Sequence, residues 1–280
     1  MTRVGGEATR VEVVAGAEEL AEVAARTALA HLEAAIDAHE TCIWVLTGGT
    51  TPLAAYRRLA RHDLRSAVEW GRVRVAIGDE RCVPASDPES NWGQASAALL
   101  DHVPLAEDQR LPINGELSAE AAAAEYEAAL RRLPPAPGSG RAEASAIGRA
   151  RPPPPPRGEP PSARGEPPPP PRLEVAWLGV GPDGHCLSLF PGRPELAVRD
   201  RLVVPVHDAP KPPPDRVSLT LSALAGVERL VVLASGAGKA EAVARARAGD
   251  QELPITRAVA TVEDAGGTVT WLLDRAAAGG

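Results

Sequence analysis

With 280 residues, 44% of them hydrophobic, the chain can bury one large α/β core or two small ones, and with only 3% aromatics that core must be built from Ala, Val and Leu. A net charge of -7 argues against nucleic acid as the main partner, and no run approaches the roughly 18 apolar residues needed to span a membrane. Three cysteines, Cys42, Cys82 and Cys186, lack C-x-x-C spacing, so neither a disulfide framework nor a zinc site is indicated, and with no apolar signal region at the N-terminus a cytoplasmic protein is expected.

Arg10 to Ala15 alternates as a short strand, and Ala17 to His39 reads as an Ala-rich amphipathic helix with Glu18 and Glu19 in its first turn, where the helix dipole favours them. Cys42 to Leu46 is an apolar strand that runs into Thr47-Gly48-Gly49-Thr50-Thr51-Pro52. Leu53 to Arg61 is then helical, with Thr51 as N-cap and Pro52 at the first helical position. Strand, Gly-rich turn and capped helix aim backbone N–H groups at an anion. No G-K-[ST] follows, so the turn is not a Walker A loop. Val73 to Ile77 is a third strand, ending in Gly78-Asp79-Glu80-Arg81-Cys82-Val83-Pro84, where the crowded charges read either as a site or as a solvated turn. Ser90 or Asn91 caps a further helix, and Ser118 caps one that runs to Leu133.

From Pro134 to Arg172 the composition changes. Fifteen of the 29 prolines lie here, with a repeated Arg-Gly-Glu-Pro-Pro unit at 157–161 and 164–168. Such a segment cannot build a core, and polyproline II or disorder is expected. It is read as an insertion looping out of a single α/β domain that spans residues 1–280.

Leu173 to Val180 is apolar at nearly every position, as in a strand buried on both faces. Its carboxyl end turns through Gly181-Pro182-Asp183-Gly184-His185 and so delivers a carboxylate and an imidazole together. Gly179, Gly181 and Gly184 also spell G-x-G-x-x-G, but Pro191-Gly192 ends any following helix after about two turns, too soon for a dinucleotide-binding crossover. The plainer reading is a tight turn whose Asp183 caps the next helix. Arg201 to Val206 is a strand, Lys211-Pro212-Pro213-Pro214-Asp215-Arg216 a loop, and Val217 to Leu221 β-like. Arg229 to Ala234 is a buried strand ending in Ser235-Gly236-Ala237-Gly238-Lys239, where the helix Lys239 to Arg247 begins. That is a second strand-to-helix turn suited to phosphate, now carrying a cation. Thr268 to Leu273 closes with a last strand. Alternating strands and helices predict a doubly wound, mostly parallel sheet with helices on both faces and its ligand site at the carboxyl strand ends.

Rare residues sharpen the map. Lys211 and Lys239 are the only lysines, Asn91 and Asn114 the only asparagines, and Phe190 the only phenylalanine. Lys239, Asn91 and Phe190 fall inside the motifs, whereas Lys211 and Asn114 sit in unremarkable loops. Together the turns describe a pocket with one acid-base pair and a cationic, N–H-rich corner, suited to a small phosphorylated substrate.

The motifs, in this order, resemble those of the 6-phosphogluconolactonase family: Gly48-Gly49-Thr50-Thr51-Pro52, Asp79-Glu80-Arg81 with Val83-Pro84, Ser90-Asn91, Leu178 to His185 with Ser188-Leu189-Phe190-Pro191, Arg216 to Thr220, and Lys239. The resemblance covers nearly the whole chain outside 134–172. It implies a Rossmann-like fold of the sugar-phosphate isomerase/deaminase type and hydrolysis of 6-phospho-D-glucono-1,5-lactone to 6-phosphogluconate, the second step of the oxidative pentose phosphate pathway, without metal or cofactor. By position, His185 would be the general base that activates water, a task suited to an imidazole titrating near neutrality. Asp183 or Asp79 would orient the imidazole or the water. The oxyanion would take its donors from a Gly-rich turn or from Arg81. Phosphate would sit between Gly48, Gly49, Thr50, Thr51, Arg216 and Lys239, with Arg81 and Asn91 as further candidates.

The chain also departs from the family pattern. Thr47-Gly48-Gly49-Thr50-Thr51 stands where Ser-Gly-Gly-Ser-Thr is usual, and Cys186-Leu187 replaces Thr-Ala, losing a hydroxyl that could hold the turn. The related glucosamine-6-phosphate deaminases carry a glutamate five residues after the histidine, and here that position is Phe190. A sugar-phosphate-sensing regulator of the same fold would carry a helix-turn-helix module, and no basic segment of that size precedes Arg10. Oligomeric state is not legible.

Overall fold

The apolar runs become strands in the computed structural model, which describes residues 9–136 and 169–280. In chain order the elements are β1 (Thr9–Val14), α1 (Ala17–His39), β2 (Cys42–Leu46), α2 (Thr50–Leu59), α3 (His62–Arg65), β3 (Val73–Ile77), β4 (Asp79–Arg81), α4 (Asn91–Ala98), β5 (Arg110–Leu111), α5 (Ala119–Leu130), β6 (Leu173–Gly179), β7 (Val203–Val206), β8 (Arg216–Leu219), α6 (Leu221–Leu224), β9 (Val227–Ala234), α7 (Ala240–Arg247), α8 (Pro254–Asp264) and β10 (Thr268–Asp274). No helix among the described residues is long and apolar enough to cross a membrane.

Seven strands form one sheet in the order β1-β10-β9-β6-β2-β3-β5, with every pair parallel. All five residues of β2 are buried, and so are six of the seven in β6, as helix cover on both faces requires. Along α1, Leu20, Ala24, Ala28, Leu32 and Ala35 recur at helical spacing and are fully or almost fully buried. In a core short of aromatics, three are gathered at one point. Trp44 and Trp177 meet edge to face at 5.2 Å, and Tyr56 stacks on Trp177 at 5.4 Å.

From β2 the chain winds outward to β3 and β5, and from β6 it winds the other way to β9 and β10. The switch point therefore lies between the carboxyl ends of β2 and β6, where a crevice opens in such sheets.

A second sheet, β4-β8-β7, is antiparallel, with Asp79 opposite Ser218 and Arg81 opposite Arg216. The direction of Arg201 to Val206 and of Val217 to Leu221 is not legible in the sequence, and the structure sets them antiparallel. Residues 207–215 are shorter than the dozen or so a parallel crossover needs, so the two strands close as a hairpin. Gly78 ties this layer to the main sheet, its N–H donating to the Leu46 carbonyl and its own carbonyl accepting from the Leu219 N–H, each at 2.9 Å.

Two local expectations are corrected. Helix α2 begins at Thr50, so its N-cap is Gly49, at φ 109° and without a side-chain cap, rather than Thr51. No helix follows His185, because the chain doubles back through a bridge between Cys186 and Leu189 with Leu187 at φ 55°. Asp183 consequently caps nothing. Ser90 and Ser118 do cap α4 and α5. Helix α8 and strand β5 are not evident from the sequence. The Pro-rich expectation falls largely on residues 137–168, which lie outside the described residues; its flanks meet in an antiparallel bridge between Pro135 and Pro171.

Candidate active site

A cleft of about 410 Å³ opens at the switch point. The turn after β2 supplies Thr47 to Pro52, β4 supplies Asp79 and Arg81, the turn after β6 supplies Gly181 and His185, and β8 supplies Arg216. Ser235 and Lys239 enter from the turn after β9, Asn91 from α4, and Lys211 from the β7–β8 loop. Every site residue expected from sequence lines the cleft except Asp183, which stands behind His185.

The β6 turn closes on itself. The Gly181 N–H donates to the His185 carbonyl at 2.8 Å and the Gly184 N–H to the Gly181 carbonyl at 2.9 Å. A Cβ at Gly181 would overlap both His185 Nδ1 and the Asp183 carboxylate, so this glycine is what lets the two side chains meet. They meet at 2.5 Å, from His185 Nδ1 to Asp183 Oδ1. The Phe190 ring packs on the imidazole at 4.8 Å. With Nδ1–H donated to Asp183, the neutral ring keeps its lone pair on Nε2, which has no protein partner among the described residues. Burial disfavours the imidazolium and draws the His185 pKa below its usual 6.5; Asp183 works against that shift, Lys211 adds to it, and Asp79 opposes it. Burial in turn penalises the Asp183 carboxylate, but the adjacent imidazole and its hydrogen bond hold the acid below the usual carboxylate range.

Asp79 does not bond the imidazole. It accepts from the Ser188 hydroxyl at 2.7 Å and weakly from the Asn91 amide at 3.4 Å, while that amide donates to the Asp79 carbonyl at 2.9 Å. Asn91 is 2% exposed, and its Oδ1 has no hydrogen-bond partner among the described residues and presses on Gly48, where any Cβ would collide with it. Glu80 holds this corner together. Its carboxylate accepts the N–H groups of Arg81, Asn91 and Trp92, each at 2.7 Å, and the Ser90 hydroxyl at 2.9 Å. Burial raises the Glu80 pKa, and those four bonds work the other way.

The cationic corner is built from opposed strands. Arg81 and Arg216 face each other in register, an unfavourable like-charge pair unless an anion lies between them. The Arg81 guanidinium donates to the Glu89 carbonyl at 2.5 Å, and its buried Nε has no hydrogen-bond partner among the described residues. Arg216 donates to the Pro213 carbonyl at 3.0 Å and the Lys211 carbonyl at 2.7 Å, lies 5.8 Å from the Phe190 ring centroid, and has its pKa lowered chiefly by burial. Lys239 is likewise lowered by burial, with Lys211 adding to the shift and Asp183 opposing it. Facing these cations are the first N–H groups of α2, which have no carbonyl to bond within the helix. Tyr56 sets the start of that turn, its hydroxyl accepting from the Thr47 N–H at 3.0 Å and donating to the Thr47 carbonyl at 3.1 Å.

Sequence reasoning gave no role to Lys211, or to Ser188 and Glu80 within their motifs. Lys211 had a signal in its rarity, but a Pro-rich loop offers no periodicity from which to place it. Cys186 is buried and its thiol is pushed up by that burial, while the turn it occupies is closed by backbone, Leu189 N–H to Cys186 carbonyl at 3.0 Å.

Fold and cleft together define an α/β protein with a cation-lined pocket and an imidazole–carboxylate pair at the switch point of its sheet. The family model for glucosamine-6-phosphate isomerases/6-phosphogluconolactonase matches residues 15–271, and the chain belongs to that family. It is 34% identical over 273 residues to the 6-phosphogluconolactonase of Mycobacterium leprae, covering 96% of each chain. To that of Streptomyces coelicolor it is 35% identical over 269 residues, covering 93% of this chain and 90% of the other. Among solved structures it is similar to the 6-phosphogluconolactonase of Trypanosoma brucei, with a TM-score of 0.77, 27% identity, and 98% and 99% of the two chains covered.

Proposed function

We propose that this protein hydrolyses 6-phospho-D-glucono-1,5-lactone to 6-phospho-D-gluconate, the second step of the oxidative pentose phosphate pathway. The observation that carries this reading is the His185–Asp183 pair at 2.5 Å, facing the Arg81–Arg216 corner across a single cleft. The names of its relatives support the same substrate.

In this reading Asp183 holds the Nδ1 proton, and Nε2 takes a proton from water as its oxygen adds to the lactone carbonyl. Negative charge gathers on the former carbonyl oxygen, where Arg81 or the N–H groups of the β2 turn are the available donors. Collapse of the tetrahedral centre breaks the bond to the ring oxygen, and the imidazolium returns its proton there. Asp79, held from behind by the buried Ser188 hydroxyl, keeps Asn91 at the wall of the cleft. The phosphate, carrying a charge of about -1.5 to -2, sits between Gly48, Gly49, Thr50, Thr51, Arg216 and Lys239, with Asn91 packed behind Gly48. We read residues 1–280 as one catalytic domain, since strands from both sides of residues 137–168 share the main sheet. The free thiols of Cys42, Cys82 and Cys186 support a reducing, cytoplasmic setting.

The test is hydrolysis of freshly generated lactone against its spontaneous rate, beside a parallel assay with glucosamine 6-phosphate. Acceleration of lactone opening alone supports the proposal. No acceleration, or turnover of the amino sugar instead, overturns it.

A further inference from the structure

The carboxyl end of β10 carries a buried acid that has no part in the chemistry above. Asp274 is 5% exposed, and its strand runs beside β9. Its carboxylate accepts from the Ser235 hydroxyl at 2.6 Å, from the Gly236 N–H at 3.0 and 3.1 Å to its two oxygens, and from the Ala277 N–H at 2.7 Å. It forms no ion pair among the described residues. The Ala277 bond fixes the carboxylate on its own strand end, and the bonds to Ser235 and Gly236 make it a clamp on the neighbouring turn.

The turn it grips is the one that presents Lys239. Gly236 stands at φ 91° and ψ 147°, a conformation open to glycine and hardly to any other residue. Its carbonyl accepts the Lys239 N–H at 3.0 Å, closing the short helical turn Ala237–Lys239 ahead of α7. A chain of bonds thus runs from Asp274 through Gly236 to the Lys239 backbone. Because the carboxylate occupies the Gly236 N–H and the Ser235 hydroxyl, what this turn offers an anion is the Lys239 ammonium rather than those two donors.

We infer that Asp274 is a positioning residue, which fixes the 235–239 turn and so holds the Lys239 ammonium at the phosphate corner of the cleft. The inference rests on the sugar-phosphate reading given above. It separates the pocket into two kinds of carboxylate: Asp183 acts on the base, and Asp274 acts on the cation that receives the far end of the substrate.

The experiment compares Asp274→Ala, Asp274→Asn, Lys239→Ala and the Asp274→Ala/Lys239→Ala double variant. Inorganic phosphate and 6-phosphogluconate binding are measured by calorimetry, and lactone hydrolysis at steady state. Asp274→Ala is expected to raise KM and weaken phosphate binding by about tenfold while kcat falls less than about threefold, since the Lys239 ammonium meets the phosphate rather than the reacting carbonyl. In the double variant the loss is no larger than in Lys239→Ala, because both changes remove one interaction. Asn keeps one acceptor oxygen and holds the loss to about threefold; this variant decides the matter if the alanine form does not fold. A purely structural role would lower the melting temperature and the active fraction with KM and phosphate affinity unchanged, and that result overturns the inference. So do losses that multiply in the double variant. Wild-type phosphate binding without lactone turnover would refute the lactonase reading instead, and Asp274 would then be judged on phosphate affinity alone.

Discussion

Asp183→Asn separates the two things the carboxylate does to His185. It keeps the shape and an acceptor for Nδ1–H but removes the charge that stabilises the imidazolium formed as water is deprotonated. A hydrogen bond to a charged group contributes about 1.5 to 3 kcal/mol. Because the Asp183 side chain is 41% exposed, solvent screening places the value at the lower end, about 1.5 to 2 kcal/mol. At about 1.4 kcal/mol per factor of ten, kcat falls about ten- to thirtyfold with KM little changed. The pH profile has a definite sign. The rate needs neutral His185 and falls as pH drops through its pKa, already drawn below 6.5 by burial. Asp183 raises that pKa, so its loss moves the acid limb to lower pH while the plateau drops. The assay is initial-rate hydrolysis across pH, corrected for spontaneous opening. An unchanged plateau, or an acid limb displaced upward, would refute the role given to Asp183.

The opposite sign is expected at Lys211, which presses the His185 pKa down. Lys211→Met should shift the acid limb of kcat to higher pH, and an unmoved limb would show that the ammonium does not act on the base. At Glu80, an amide would turn its NH2 on donors already committed to the carboxylate, so Glu80→Gln should cost about 2 kcal/mol in chemical denaturation and lower kcat through Asn91 and Asp79. Equal stability of the two proteins would contradict the clamp. Inorganic phosphate at about 100 times its Kd should stabilise the wild type by about 2.7 kcal/mol, and Arg216→Met should abolish the accompanying rise in melting temperature; a rise that survives the substitution would place the anion elsewhere.

The parallel strands and the turns at their carboxyl ends were legible because strands buried on both faces are apolar throughout, as in β2 and β6, and because Gly and Pro mark where they stop. The β7–β8 hairpin was not, since the direction of a short strand is decided by what it pairs with. Whether Asp79 or Asp183 serves the imidazole could not be read either. Both follow the carboxyl end of a strand near the site, and only the folded chain separates them, with Asp183 on the imidazole and Ser188 and Asn91 on Asp79. Asp274 closes the last strand in sequence without any sign of its role, which depends on β10 lying beside β9. The cap at α2 is deceptive because Thr51 has the chemistry of a cap, whereas Gly49 has the backbone freedom that the turn at φ 109° demands.

Substitution of His185 by alanine bears most directly on the central claim, that a neutral imidazole held by Asp183 activates water in this cleft. With folding verified by thermal melting and the spontaneous rate subtracted, the account predicts a loss in kcat of about a hundredfold or more, with KM and phosphate binding close to wild type. A His185→Ala enzyme that turns over at the wild-type rate would contradict it.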